Sequence, residues 1–332
     1  MYPPRNTSIF TGLEQVRRAE SRIKEFVRET FVEPAPQLSH GEGGVFLKLE
    51  NQQVTGSFKV RGALSKLLAM DDSERQKGVV AASAGNHGLG IALAASQLGI
   101  KATVVVPTSV DASKRAALES FGIELVVDGA DFDECEDIAM ARAKSENRVF
   151  VSPYNDPDVV AGQGTIGAEL LRQLPHVDVV FVAVGGGGLI SGIAGYLKAV
   201  KPEIKIVAVS PSNSPAMFDE LANTPYEFRL LTTTLSDSTA GSIQHNSITI
   251  DLCRALVDQW ILVEEAEIAS AMRYLFFEHR LVVEGAGALT VAAYRKESER
   301  YQDLNTALVV CGGNIDMQKF TKIVTEARPS GS

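Results

Sequence analysis

The feature that most constrains the fold of this chain is a regular alternation of short apolar segments with longer amphipathic ones. The short segments are rich in β-branched residues and predict strands at Val45–Leu49, Gly78–Ala82, Ala102–Val106, Leu125–Val127, Val149–Val151, Val179–Val184, Ile206–Val209, Trp260–Val263 and Ala307–Val310. The longer segments predict helices at Gly12–Thr30, Gly62–Ala69, Asn86–Leu98, Ala112–Phe121, Asp131–Ser145, Gly164–Leu174, Ile190–Ala199, Glu267–His279 and Gly285–Lys296. Because the predicted strands are apolar throughout, the pattern indicates an α/β fold of mostly parallel sheets with helices on both faces.

Composition narrows the class of protein. Hydrophobic residues make up 45% and charged residues 22% of the chain, and the net charge is -9. We therefore expect no nucleic-acid partner, because such proteins carry basic patches. No apolar run approaches the length of a membrane span, and the start of the chain lacks a signal peptide, so we expect a cytoplasmic enzyme or binding protein. The three cysteines form no CxxC pair, which argues against zinc and disulfides.

A lysine follows a Gly-Ser turn in the segment Thr55–Gly62 and opens a predicted helix. For a lone lysine, a solvated surface position is the usual interpretation. The positive end of the helix dipole disfavours a cation there. With some burial, the same field would lower the pKa of Lys59 and make the amine a nucleophile and a base.

Small residues follow two other predicted strands directly, at Ser83–Gly88 and at Gly185–Gly188. In sheets of this kind, ligands bind beyond the carboxyl ends of the strands. The first segment suits a carboxylate or a phosphate, although a tight turn explains it equally well. Four consecutive glycines let several N–H groups converge on one phosphate, so we predict phosphate binding there.

Two familiar nucleotide motifs do not match the glycine segment. It lacks the Lys-Ser/Thr ending of a P-loop, and Ser191 stands where a dinucleotide fingerprint has its third glycine.

A fourth segment, Cys311–Asn314, follows the last predicted strand. An isolated cysteine is usually a small buried hydrophobe, but the two glycines after it suggest contact with a ligand.

Together and in this order, SFKVRGA, SAGNHG, GGGGLISG and CGGN resemble the fold-type II pyridoxal-phosphate enzymes, among them the threonine and serine dehydratases and serine racemase. Each motif is weak alone, but the resemblance runs from about Gly12 to Val324. It implies two interleaved domains, each an open and mostly parallel sheet flanked by helices. The large, cofactor-binding domain would take residues 1–52 and 153–332, and the small domain residues 53–152.

The resemblance also implies a role for each residue around pyridoxal 5'-phosphate. Lys59 would carry the cofactor through an imine, Phe58 would pack beside it, and Asn86 would bond its phenolic oxygen. Asn155 would lie near the ring, and Cys311 would face the pyridine nitrogen. The phosphate would lie on Gly185, Gly186, Gly187, Gly188 and Leu189. The substrate carboxylate would lie on Ser83, Ala84, Gly85, Asn86 and His87.

By the same resemblance, the reaction is the dehydration of a 3-hydroxy L-amino acid such as threonine or serine. Lys59 would remove the Cα proton, the 3-hydroxyl would leave, and a 2-oxo acid and ammonia would be released. Racemisation and β-replacement on the same cofactor remain alternatives. A catalytically idle amino-acid sensor is a further one, although a sensor would not need Lys59. Relatives are commonly dimers, so a homodimer is expected.

Several positions depart from the family pattern. Racemases have a serine hydroxyl where this chain has Ala84, which predicts a lyase that racemises little. Ser210 stands where metal-activated relatives have a carboxylate, which predicts no metal site. Thr239-Ala240-Gly241 stands where an Ala-Asp-Gly is expected, which predicts a missing carboxylate and a less common substrate, such as 3-hydroxyaspartate, phenylserine or a hydroxyectoine-derived amino acid. The short segment after Cys311 predicts no isoleucine feedback.

Overall fold

The structure, a computed structural model, describes residues 12–229 and 232–326. The expectation of no signal peptide concerns the first ten residues, which lie outside the described part. The described residues form ten strands: β1 Val32–Pro34, β2 Val45–Leu49, β3 Val79–Ala82, β4 Ala102–Val106, β5 Glu124–Val127, β6 Val149–Phe150, β7 Val179–Ala183, β8 Lys205–Pro211, β9 Gln259–Val263 and β10 Thr306–Val310.

The same residues form thirteen α-helices: α1 Leu13–Ile23, α2 Lys59–Ala69, α3 Asp72–Lys77, α4 Asn86–Leu98, α5 Ala112–Glu119, α6 Phe132–Ser145, α7 Pro157–Gln173, α8 Gly188–Val200, α9 Ala216–Ala222, α10 Ile248–Leu256, α11 Glu265–His279, α12 Gly285–Lys296 and α13 Met317–Thr325. Several begin at side-chain caps; Asp131, for example, accepts a hydrogen bond from the N–H of Glu134 at the start of α6. Within the described ranges, no helix is both long enough and apolar enough to cross a bilayer.

The strands form two sheets. The larger has the order β1-β2-β10-β7-β8-β9, with all pairs parallel except the edge pair β1–β2. The smaller has the order β5-β4-β3-β6 and is parallel throughout. The central strands are buried along their whole length, as in β7, β10 and β3. The predicted α/β fold with mostly parallel sheets is confirmed.

The order of the strands along the chain explains how the two sheets interleave. The smaller sheet takes its strands from residues 79–150, whereas the larger sheet takes strands from both sides of that segment. Each sheet has its own core: Leu47, Phe181 and Leu308 belong to one, and Leu64 and Val104 to the other. This arrangement agrees with the predicted interleaving, and the boundaries at residues 52 and 152 stay a prediction.

Some predicted elements differ from the structure. Helix α1 ends at Ile23 instead of Thr30, and the apolar Phe26 and Val27 that follow pack as a turn against the core of the smaller sheet. Helix α7 begins seven residues earlier than predicted, because Asp156 caps it and Pro157 occupies its first turn. Helices α3, α9, α10 and α13 and strand β1 were not predicted.

Candidate active site

The carboxyl ends of the parallel strands open onto a cleft between the two sheets, and the first residue of helix α2, Lys59, lies within it. Two cavities meet there. The larger has a volume of about 280 Å³ and the smaller about 50 Å³, and Lys59, Asn86 and Glu284 line both. The amine of Lys59 therefore lies where a ligand in one cavity continues into the other.

Burial sets the chemistry of Lys59. Its Nζ donates a hydrogen bond to the carbonyl oxygen of Pro153 at 2.9 Å. Burial lowers the pKa of the amine to about 8, although the charges of Cys311 and Glu284 act in the opposite direction. The sequence predicted a lowered pKa, and the direction is confirmed. An amine of this kind is partly neutral near physiological pH, as a nucleophile or a base must be.

The glycine segment forms the wall of the smaller cavity, which Gly185, Gly186, Gly187, Gly188 and Leu189 line. It joins β7 to α8, and Gly187 has φ 82°, which a residue with a Cβ adopts only with strain. A Cβ at Gly186 would collide with the ring of Tyr154. The loop thus requires glycine both for its conformation and for its close packing.

The predicted carboxylate-binding segment lies at the other end of the cleft. Ser83, Ala84, Gly85, Asn86 and His87 all line the larger cavity, where helix α4 begins at Asn86. A Cβ added to Gly85 would have no neighbour within 4 Å, so the backbone there is open to the cavity. The start of a helix presents free N–H groups and the positive end of its dipole, which suits an anion.

His87 is held as a neutral side chain. It is buried, and its Nε2 donates to the carbonyl oxygen of Val151 at 2.9 Å. Burial, helped by the charge of Lys59, lowers the pKa of His87 to about 3. The imidazole therefore supports the shape of the segment and does not titrate near neutral pH.

Phe58 and Cys311, which the resemblance places beside the cofactor, also line the smaller cavity. The N–H of Phe58 donates to the carbonyl oxygen of Cys311 at 3.1 Å, which joins the start of α2 to the end of β10. The thiol of Cys311 is buried, and burial raises its pKa above the usual range. It remains a neutral thiol, a weak hydrogen-bond donor.

Asn155 is the predicted residue that lines neither cavity. Its Nδ2 donates to the Oε1 of Gln244 at 2.6 Å, and its Oδ1 accepts from the N–H of Ile248 at 3.0 Å. Both ends of the amide are thus engaged with the segment that leads into α10. A direct contact between Asn155 and the cofactor stays a prediction.

Glu284 lines both cavities, although the sequence analysis assigned it no role. It is buried, and its Oε1 accepts hydrogen bonds from the Nδ2 of Asn86 at 2.8 Å and from the hydroxyl of Ser238 at 2.9 Å. Burial raises the pKa of Glu284 to about 7 against the effect of these two donors. Asn314 donates to the Oδ1 of Asn86 at 2.7 Å, so the position of the Asn86 amide is fixed on both sides.

The expectation that the Thr239-Ala240-Gly241 segment leaves the cavity without a carboxylate is wrong. Asp237, two residues before Thr239, lines the larger cavity. The Oδ2 of Asp237 also accepts from the Nζ of Lys319 at 3.3 Å, and spacing along the chain does not show which residues of this loop reach the cavity. Lys114 lines the same cavity from helix α5 and was also missed, because nothing nearby in the sequence distinguishes it from a surface lysine.

Comparison with known proteins identifies the family that shares this arrangement. Residues 23–312 match the family model described as pyridoxal-phosphate dependent enzyme. The chain belongs to this family. Pyridoxal phosphate is therefore its cofactor, and the predicted resemblance is confirmed.

Individual relatives agree with this placement. The chain is 41% identical over 315 residues to the L-threonine ammonia-lyase of Thermotoga maritima. The matched region covers 95% of this chain and 78% of the relative. It is 38% identical to a catabolic L-threonine dehydratase of Staphylococcus aureus, with 96% and 93% of the two chains covered. Among solved structures, maize serine racemase matches with a TM-score of 0.86 and 31% identity over 94% of this chain and 96% of the other.

Proposed function

We propose that this protein dehydrates a 3-hydroxy L-amino acid, such as threonine or serine, to a 2-oxo acid and ammonia. The observation that carries the proposal is the position of Lys59 where the cavity of the glycine loop meets the larger polar cavity. Two relatives of at least 38% identity are named for the corresponding reaction on L-threonine.

The residues around the smaller cavity fit pyridoxal phosphate. The N–H groups of Gly186 and Gly187 have no acceptor within the described residues and are available to a phosphate. Asn86 gives one proton of its amide to Glu284 and has a second for the phenolic oxygen of the cofactor. Cys311 and Phe58 would then lie beside the ring. When bound, the cofactor delocalises the negative charge that develops at the substrate Cα.

The chain's own residues supply the remaining steps. The N–H groups at the start of α4 hold the substrate carboxylate and thereby fix its Cα relative to Lys59. The neutral amine of Lys59 takes the Cα proton, which its lowered pKa permits near pH 8. Ala84 presents only a methyl group to the cavity, so it offers no proton for return to Cα.

Racemisation is the second candidate, because a serine racemase is among the structures that the chain resembles. Incubation with L-serine in deuterated water separates the two reactions. We expect pyruvate and ammonia with almost no D-serine, and Ala84→Ser is the matched variant that adds a hydroxyl at the same place. D-serine formed by the wild-type protein in an amount comparable to pyruvate would contradict the proposal.

β-Replacement is tested in the same assay. L-serine and L-threonine are supplied without a thiol nucleophile, and release of 2-oxo acid and ammonia is measured. We expect steady release that Lys59→Ala abolishes. Consumption of L-serine only when a thiol is added, with an S-substituted cysteine formed and no ammonia or 2-oxo acid released, would instead identify a β-replacement enzyme. A panel that adds 3-hydroxyaspartate and phenylserine then establishes which hydroxy-amino acid is preferred.

We further infer a cytoplasmic homodimer whose two domains divide at residues 52 and 152. Cys135, Cys253 and Cys311 are free thiols, as expected in a reducing compartment. Large apolar side chains such as Phe31, at 73% exposure, and Met317, at 57%, would lose contact with water in a dimer. Light scattering on the purified protein tests the dimer; a single species of monomer mass would contradict it.

A further inference from the structure

Helix α10 lies against the glycine loop. A Cβ added to Gly187 would come within 3.0 Å of the Sγ of Cys253 and of the Cβ of Thr249, both on this helix. Both side chains are buried, at 1% and 0% exposure. The loop therefore rests on α10, on the side opposite the cavity, and a shift of this helix changes the support of the loop.

One side chain on α10 bonds the loop directly. The hydroxyl of Thr249 donates to the carbonyl oxygen of Gly186 at 2.7 Å. A trans peptide is planar, so its C=O and N–H point in opposite directions. With the Gly186 carbonyl held toward α10, the N–H of Gly187 in the same peptide unit points away from α10.

The first turn of α10 is itself held in place. Ser247 caps the helix, and its Oγ lies 2.7 Å from the hydroxyl of Thr249. The Oδ1 of Asn155 accepts a hydrogen bond from the N–H of Ile248. The backbone N–H of Asn155 in turn donates to the hydroxyl of Ser152 at 3.0 Å. The same 152–155 segment supplies the Pro153 carbonyl that accepts from Lys59. Lys59 and the glycine loop are thus connected through one short segment and the start of one helix.

We propose that Thr249 is a positioning residue for the cofactor phosphate: it holds the 186–187 peptide so that the N–H of Gly187 faces the bound anion. This inference rests on the proposed placement of the phosphate on the glycine loop. Removal of the hydroxyl leaves the Gly186 carbonyl buried without its donor, and the peptide then rotates at little cost, since both of its residues are glycines.

The test compares Thr249→Val, which keeps the shape but loses the donor, with Thr249→Ser, which keeps the hydroxyl. Apoenzyme of each is titrated with pyridoxal phosphate and, separately, with pyridoxal, which has no phosphate. For Thr249→Val, we expect the dissociation constant for pyridoxal phosphate to rise about 5- to 30-fold. Its affinity for pyridoxal should not change, and Thr249→Ser should bind both as the wild-type protein does.

Thr290→Val is the matched control. Thr290 is equally buried and its hydroxyl also donates to a backbone carbonyl, that of Val309, but it does not touch the glycine loop. We expect wild-type affinity for pyridoxal phosphate in this variant. Thr249→Val with wild-type affinity, or with an equal loss for pyridoxal, would overturn the inference and leave the proposed function standing. Wild-type apoenzyme that binds pyridoxal phosphate no better than pyridoxal would overturn the phosphate site itself.

Discussion

At the scale of single residues, the site depends on how burial changes three ionisable groups. It lowers the pKa of Lys59 to about 8 and that of His87 to about 3, and it raises that of Glu284 to about 7. Lys59 is thereby available as a neutral amine, while His87 stays uncharged. Glu284 and Lys59 both change charge near neutral pH. Glu284 lines the cavity where the cofactor is proposed to lie, and it accepts a hydrogen bond from Asn86 there.

From the lowered pKa of Lys59 we predict how the rate of covalent cofactor binding depends on pH. Only the neutral amine attacks the aldehyde of pyridoxal phosphate, so the rate of covalent reconstitution should rise with pH, reach half its maximum near pH 8 and then level off. Stopped-flow absorbance on the apoenzyme from pH 6 to pH 10 measures this rate. A rise centred near 10.5, the value of a solvated lysine, would show that burial does not act on this amine.

The sequence identified the residues whose neighbours along the chain are distinctive. Lys59 after its Gly-Ser turn and the four glycines before α8 are local patterns with a physical cause, and both lie in the cleft. Asp237 and Lys114 have no such local signal. Their place in the cavity depends on how the two sheets face each other, which spacing within one segment does not contain.

At the scale of elements, helix α2 is fixed to its neighbours by a buried group of charges. Arg61 bonds Glu50, which follows β2, at 2.8 Å, and Glu169 on α7 at 2.6 Å. Lys48 bonds Glu169 at 2.6 Å. Burial opposes the charge on Arg61, but Glu50 and Glu169 outweigh it and raise the pKa of Arg61 above its usual range. This group of charges therefore fixes helix α2 at Arg61, which is two residues after Lys59 in the sequence.

Arg61→Met should therefore cost about 3 to 5 kcal/mol in the free energy of unfolding, because it leaves the buried carboxylate of Glu50 without its salt-bridge partner and that of Glu169 with Lys48 alone. Urea denaturation followed by circular dichroism measures the change. Arg115→Met is the control, since Arg115 pairs with Glu119 on the surface and its loss should cost less than about 1 kcal/mol. Equal losses in the two variants would mean that the buried group adds nothing to stability.

Elements with strong periodicity were predicted well, and weak ones were missed for identifiable reasons. Strand β1 has only three residues and contains Pro34. Helix α3 has six residues, none of them buried, so it shows no apolar face. Most of α7, from Val159 to Leu170, is buried on every side and so lacks the alternation of apolar and polar faces by which a helix is recognised.

At the scale of the whole molecule, the two sheets enclose one cleft and also meet beyond Lys59. The hydroxyl of Ser242 donates to Asp133 at 2.6 Å, and Gly241 lies next to Phe132. Both contacts join the loop after Asp237 to the start of α6, at the edge of the larger cavity. The interleaved path of the chain thus supplies both walls of the site.

We predict that catalysis needs no divalent metal. Within residues 12–229 and 232–326, no group of three or more His, Cys, Asp or Glu side chains is placed to hold one. The hydroxyl of Ser210 instead donates a hydrogen bond to the carbonyl oxygen of Val184. Dialysis against a chelator should leave kcat/KM for L-serine unchanged, and added magnesium should not raise it. Activity lost to the chelator and restored by magnesium would contradict this.

The most direct test of the account is to find the residue that carries the cofactor. The holoenzyme is reduced with borohydride, digested, and analysed by peptide mass spectrometry. The account predicts one modified peptide, with the added mass on Lys59, and none in Lys59→Ala. Lys114, the other lysine that lines the larger cavity, is the internal control. Modification of Lys114 in place of Lys59, or an unmodified Lys59 in active enzyme, would contradict the account.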